Sequence, residues 1–280
     1  MTTRPASSRI YPWYDSIWLQ KYTLAKQIIR DVKPLALDAF EEAMRPLRTS
    51  SGFSVKTLDK VFDDSTLEKI RSTVRALQPA DFELHEARQF KRFIVHDHPY
   101  FTELQQQLTA LMSATVGEAV EPGYNFLSLY TASGVCPVHM DSPEAKWTLD
   151  VCIDQSEPWP IWISDVQAWP EVTDEAGLGP WHRDDWEHFI KLSPAANFKP
   201  YTMSPGQAIV FSGSSQWHYR DAMPARSAAA RCDLLFFHFV PAGMKERVRA
   251  SNWARVFEIP ELAYRERPPT SASPILSQPA

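Results

Sequence analysis

The sequence predicts an α+β chain that is mainly β in its second half, a sandwich or barrel with helices packed on it. Three observations predict this. Up to about residue 123, apolar residues recur at helical spacing. From Tyr124 onward the chain breaks into short runs rich in β-branched and aromatic residues. Turn chemistry, not long helices, separates those runs.

The helical half reads in order. Asp15 to Arg30 places Ile17, Leu24 and Ile28 on one face, with Pro34 beyond its end, and Asp38 to Leu47 is a second, weaker helix. Ser65 and Glu68 form a capping-box pattern, followed by Leu67, Ile70, Val74 and Leu77 at helical spacing. Pro99 opens another helix with Phe101, Leu104, Leu108 and Leu111 on its buried stripe. Between these two, Gln89 to Val95 reads as a strand. The later strands are Asn125–Thr131, Trp147–Ile153, Pro160–Ile163, Gln207–Phe211 and Cys232–Val240, punctuated by Ser133-Gly134, Ser142-Pro143, Glu157-Pro158, Ser204-Pro205-Gly206 and Met223-Pro224. A polar, Trp-rich insert, Trp169 to Ala196, interrupts the series and includes a helix from Arg183 to Ile190. Arg265 to Ala280 reads as a loosely held tail rich in Pro, Ser and Ala. One domain over residues 1–280 is expected, with a helical region to 123 and a β core over 124–240.

Composition excludes several classes. A formal net charge of −5 and no Lys/Arg run leave no electrostatic footprint for nucleic acid. No apolar stretch approaches the ~20 residues of a membrane helix, and Met1 to Tyr11 carries no apolar h-region. Three cysteines, Cys136, Cys152 and Cys232, are too few for a disulfide framework or a cysteine zinc site. A cytoplasmic setting is expected.

His139-Met-Asp141 with the distant His218 has the form of the facial triad of non-haem Fe(II) sites. Two neutral imidazoles and one carboxylate fill one face of an octahedron and leave three positions open. On a strand, residues i and i+2 project to the same side, so His-x-Asp delivers two ligands together. The pair alone is weak evidence, since His182/Asp184 has the same form. Context separates them: His139 lies between two strands, whereas His182 lies in a charged patch, Trp181 to His188, that reads as a solvated surface. Asp141-Ser-Pro143 also reads as a turn. In His96-Asp97-His98-Pro99 the plainer reading is Asp97 capping the helix at Pro99.

From Tyr124 to Val240 the ordered parts resemble the 2-oxoglutarate/Fe(II)-dependent oxygenases, in the group that includes prolyl hydroxylases. Tyr130 ends a strand nine positions before His139, and Trp147 to Ile153 follows as an apolar strand. Met203-Ser-Pro-Gly-Gln-Ala-Ile-Val-Phe211 matches the family's proline-glycine step into a buried strand. Gln216-Trp-His218-Tyr219 comes next, and Arg231 opens the run to Val240. The resemblance implies a double-stranded β-helix (jelly roll), with Fe(II) on His139, Asp141 and His218, and 2-oxoglutarate and O₂ as co-substrates. It implies that Arg231, 13 positions past His218, binds the far carboxylate of 2-oxoglutarate, with Arg226 and Arg220 as substitutes if the register differs. A guanidinium offers a carboxylate a planar fork and stays charged when partly buried. Tyr130 resembles the family's phenol that donates to the same co-substrate; a plain core tyrosine is the other reading. Asp141 in place of Gly or Ala favours hydroxylation over halogenation.

Arg92, Trp147 and Trp162 are candidates for the substrate pocket, each also readable as packing or surface. A small molecule (an amino acid, a peptide or a natural-product intermediate) is the expected substrate, and a protein side chain the next. A cupin-like metalloenzyme without 2-oxoglutarate and a metal-free jelly-roll binding module are the rival readings. The Trp169–Ala196 insert is expected to act as a substrate lid.

Overall fold

A computed structural model describes residues 16–169, 186–224 and 229–263. The helices are α1 (Ser16–Val32), α2 (Leu37–Met44), α3 (Asp64–Ala76), α4 (Pro99–Gln107), α5 (Thr109–Val116), α6 (Trp186–Lys191), α7 (Lys245–Val248) and α8 (Trp253–Val256). The strands are β1 (Lys56–Leu58), β2 (Arg92–His96), β3 (Val120–Thr131), β4 (Cys136–His139), β5 (Trp147–Gln155), β6 (Ile161–Ile163), β7 (Lys199–Tyr201), β8 (Ala208–Phe211), β9 (His218–Arg220) and β10 (Arg231–Pro241). They form a six-stranded sheet, β1-β8-β5-β10-β3-β2, and a four-stranded sheet, β4-β9-β6-β7. Every pairing among the described strands is antiparallel. Two facing sheets whose strands alternate along the chain make the expected jelly roll, mainly β with flanking helices.

Strand alternation builds three apolar layers. On β5, Leu149, Val151 and Ile153 face outward and pack with Ile70 of α3, Phe101 and Leu104 of α4 and Met112 of α5. Leu235, Phe237 and Phe239 of β10 join them. The alternate residues of the same strands face inward: Cys152, Leu234 and Phe236 pack between the sheets with Ile161, Ile163 and Phe211. Both faces of β5 and β10 are therefore buried, which is why their sequences read as near-continuous apolar runs. Outside the small sheet, Val138, Met140, Trp217 and Tyr219 pack against Trp18, Tyr22, Phe40, Trp169 and Trp253. The tryptophan surplus thus ties α1, α2 and α8 onto the small sheet.

Several expectations shift by local chemistry. The N-cap of α3 is Asp63, whose carboxylate accepts from the Thr66 backbone N–H, and Ser65 donates to Asp63 instead of forming a box with Glu68. His98, not Asp97, caps α4: its Nδ1 accepts from the Tyr100 N–H, while Asp97 accepts from the Asn125 N–H. The helical stripe from Pro99 is divided at Leu108, and Leu111 is exposed. Strand β2 begins at Arg92, because Gln89 to Lys91 form a turn. No helix among the described residues is long and apolar enough to cross a membrane.

Candidate metal centre

The facing ends of β4 and β9 bring the triad together. His139 and His218 are direct cross-strand partners, with ring centroids 4.2 Å apart. Asp141 follows two residues after His139 and stays on its side; its backbone N–H donates to the Gly213 carbonyl at 2.8 Å. Asp141 Oδ1 lies 3.5 Å from His139 Nε2 and 3.7 Å from His218 Nε2, and one ligand atom from each residue falls within 4.8 Å of the other two.

The opposite ring nitrogens are tied down. His139 Nδ1 donates to the Pro137 carbonyl at 2.8 Å and His218 Nδ1 to the Gln216 carbonyl at 3.0 Å. A carbonyl only accepts, so each Nδ1 carries a proton and each Nε2 is the ligand atom turned to the common centre. Burial alone would lower His139, but Cys136 and Asp141 raise it to about 10, so a bound metal would displace a proton from that ring. Each acceptor lies two residues before its histidine, so each ligand strand supplies its own orienting carbonyl. Burial pushes His218 below its usual value, with His139 adding to the effect, which favours the neutral ring a metal requires. Burial alone would raise Asp141, but His218 and His139 hold it well below the carboxylate range.

Backbone shape protects the centre. A Cβ on residue 213 would stand 2.2 Å from Asp141 Oδ2, 2.6 Å from Thr148 Oγ1 and 2.7 Å from the Ala145 carbonyl. Only glycine fits there. Thr148 Oγ1 donates to Asp141 Oδ2 at 3.3 Å. One carboxylate, two oriented imidazoles and a glycine cradle fit a divalent ion of the Fe(II) type.

The cavity beyond the triad has two unlike ends. At one end, Arg220 of β9 projects to the same side as His218, two residues on, and is 3% exposed. It donates to Asp150 Oδ2 at 2.9 Å and to the Trp159 carbonyl. Burial, outweighing Arg220, pushes Asp150 up to about 6. Beside it, buried Arg92 donates to Glu86 and, at 2.7 Å, to the Tyr130 hydroxyl. Burial raises the Tyr130 phenol far enough to keep it protonated. At the other end stand Ile94, His96, Tyr124, Phe126, Phe236 and His238.

Of the residues expected from sequence, His139, Asp141, His218, Tyr130 and Arg92 line this one cavity. Arg231 does not. It is the first residue of β10, on the face opposite to Cys232, with its side chain 52% exposed and paired to Asp154 at 2.6 Å. The strand pleat puts it outside, and Arg220, the substitute, lies inside. Trp147 faces the helices, tilted against Phe53 with its Nε1 donating to Glu118. Trp162 lies on the outer face of the small sheet, stacked over Tyr219. Neither lines the cavity. Arg226, the His182/Asp184 pair and most of the lid insert lie outside the described residues. Glu86, Thr148, Asp150, Gly213 and His238 escaped sequence reasoning. A signal existed for His238, an imidazole of inward parity in an otherwise apolar strand.

No family model matches the chain, and no curated protein matches it. Solved structures of similar backbone include HygX from Streptomyces hygroscopicus with nickel and 2-oxoglutarate bound. It is 12% identical, matches 68% of this chain and 83% of that one, and has a TM-score of 0.47. EctD from S. alaskensis with bound Fe is 12% identical over 67% of this chain and 72% of that one, with a TM-score of 0.48. The non-heme alpha ketoglutarate dependent epimerase SnoN from nogalamycin biosynthesis is 13% identical over 75% of this chain and 85% of that one, with a TM-score of 0.49.

Proposed function

We propose that this chain is an Fe(II)- and 2-oxoglutarate-dependent oxygenase acting on a small molecule. One observation carries the proposal: two imidazoles, each held through Nδ1 by a backbone carbonyl, and one ionised carboxylate converge at the wall of a cavity that also holds a buried arginine two residues beyond the distal histidine.

His139, Asp141 and His218 would hold the metal, and Thr148 with Gly213 fixes the carboxylate. When bound, Fe(II) with 2-oxoglutarate and O₂ supplies an oxidation of substrate coupled to release of succinate and CO₂. Arg220, with Tyr130 and Arg92 beside it, takes the role first given to Arg231: it receives the far carboxylate of the co-substrate in a site where a charged hydrogen bond is strong. Asp150 and Glu86 keep the two guanidiniums compensated until that anion arrives. The apolar walls Ile161, Phe211 and Phe236 exclude water from the reacting end. A charged cleft of about 410 Å³, lined by Asp97, Glu144, Lys245 and Arg249, shares His96 and Tyr124 with the cavity and suits entry of a polar small molecule.

The test needs no substrate. Protein loaded anaerobically with Fe(II), then given 2-oxoglutarate and O₂, is expected to form succinate slowly, and His139→Ala is expected to remove both this activity and stoichiometric iron binding. Stoichiometric iron with no succinate would favour a metalloenzyme that does not use 2-oxoglutarate.

A further inference from the structure

The end of the cavity away from the arginines holds a group that the metal centre and the co-substrate leave unused. His238 lies on β10 among aromatic rings: its ring centroid is 4.3 Å from Tyr124 and 5.5 Å from Phe126. It is 2% exposed and lines the cavity. Its Nδ1 lies 3.1 Å from Thr148 Oγ1, which also contacts Asp141 Oδ2.

This chain of contacts fixes the tautomer. An ionised carboxylate only accepts, so the single Thr148 hydroxyl proton goes to Asp141. The Thr148 oxygen must then accept, and the proton of His238 sits on Nδ1. Its Nε2 is left as a bare acceptor, buried and without a hydrogen-bond partner among the described residues. Burial, the largest influence on this ring, pushes it down to about 4, so it does not acquire a second proton near neutrality. A buried acceptor without a partner, on a side chain that lines a cavity, is costly, and such groups are found where a ligand supplies the missing donor.

Building on the oxygenase reading, we infer that His238 is a specificity-determining residue. The substrate lays an apolar body against Ile94, Tyr124, Phe126 and Phe236 and donates a hydrogen bond from a hydroxyl or amine to His238 Nε2. The outer cleft borders this end, since His96 and Tyr124 line both spaces. The arginine end takes the anion, and the His238 end, joined to Asp141 through Thr148, takes the donor.

Phenol and toluene test the inference, being matched in shape and different in the donor alone. Binding is measured by calorimetry on the anaerobic protein, both as purified and loaded with Fe(II) and 2-oxoglutarate. Wild type is expected to bind phenol about tenfold more tightly than toluene, the worth of one buried hydrogen bond. His238→Leu is expected to erase the preference, and His238→Gln, which keeps a carbonyl acceptor there, to retain most of it. If His238→Leu does not fold, His238→Phe takes its place. Equal affinities in wild type, no phenol binding, or a preference that survives the apolar variants would overturn the inference. Substrate-free succinate release, run in parallel, reports on the oxygenase reading separately. Its loss with an intact phenol preference sinks only that reading; the reverse result sinks only the role of His238.

Discussion

Arg220 and Arg231 are separated by the parity of their strands. Arg220 shares the face of His218 and is buried; Arg231 opens β10 on the outward face and pairs with Asp154 at the surface. A buried charge–charge hydrogen bond is worth enough to shift affinity by ~10–100-fold. Arg220→Gln is therefore expected to raise the KM for 2-oxoglutarate by about that much, whereas Arg231→Gln leaves it unchanged; substrate-free succinate assays measure both. An effect at Arg231 and none at Arg220 would reverse the assignment. Gly213 makes a second prediction at this scale. With a Cβ only 2.2 Å from Asp141 Oδ2, Gly213→Ala must displace the carboxylate or the backbone. It is expected to cost about 1–3 kcal/mol of stability by overpacking and to weaken iron binding, read by thermal melts and metal titration.

The long elements were legible because their residues carry periodicity. Helices α3 and α4 and strands β3, β5 and β10 each show a pattern matched to their burial, and the inward and outward faces of β5 follow directly from alternation. On α1 the buried face is Trp18, Tyr22, Ala25 and Ile29, and Leu24, expected on the buried side, is exposed. Strands β1, β4, β6, β7, β8 and β9 span three or four residues each, too few to show a period, so only β6 and β8 were anticipated, from their composition and the turn residues beside them. The convergence of His139, Asp141 and His218 was legible despite this, because His-x-Asp is a spacing rather than a pattern. Arg231 was expected inside and lies outside, because counting positions past His218 says nothing about which face of β10 a side chain takes. Thr148, Asp150 and Glu86 were invisible, since each matters through a partner distant in sequence. At the element scale, Leu149 is fully buried between β5 and the helices. Leu149→Ala is expected to cost ~2–5 kcal/mol, seen as a lower denaturation midpoint, while a change below about 1 kcal/mol would mean the helical layer does not pack as described.

Across the whole molecule, a polar cavity is carried inside an apolar frame, and the cost appears as a pH dependence. Asp150 titrates at about 6 in the fold, against 3.8 for an ordinary aspartate. The folded protein therefore holds an extra proton between these values. The stability this group contributes is fully present below pH 3.8 and is lost as pH rises through about 6. The Tm of wild type minus that of Asp150→Asn is expected to fall between pH 4 and 7. A difference that rises over the same range would contradict the burial of the Asp150–Arg220 pair.

The position of a bound Fe(II) is the central expectation. Anomalous diffraction at the iron edge, from anaerobic crystals grown with Fe(II) and 2-oxoglutarate, measures this directly. The expected result is a single strong peak bonded to His139 Nε2, His218 Nε2 and the Asp141 carboxylate, with the far carboxylate of 2-oxoglutarate on Arg220. Iron elsewhere on the chain, or no ordered iron at all, would contradict it.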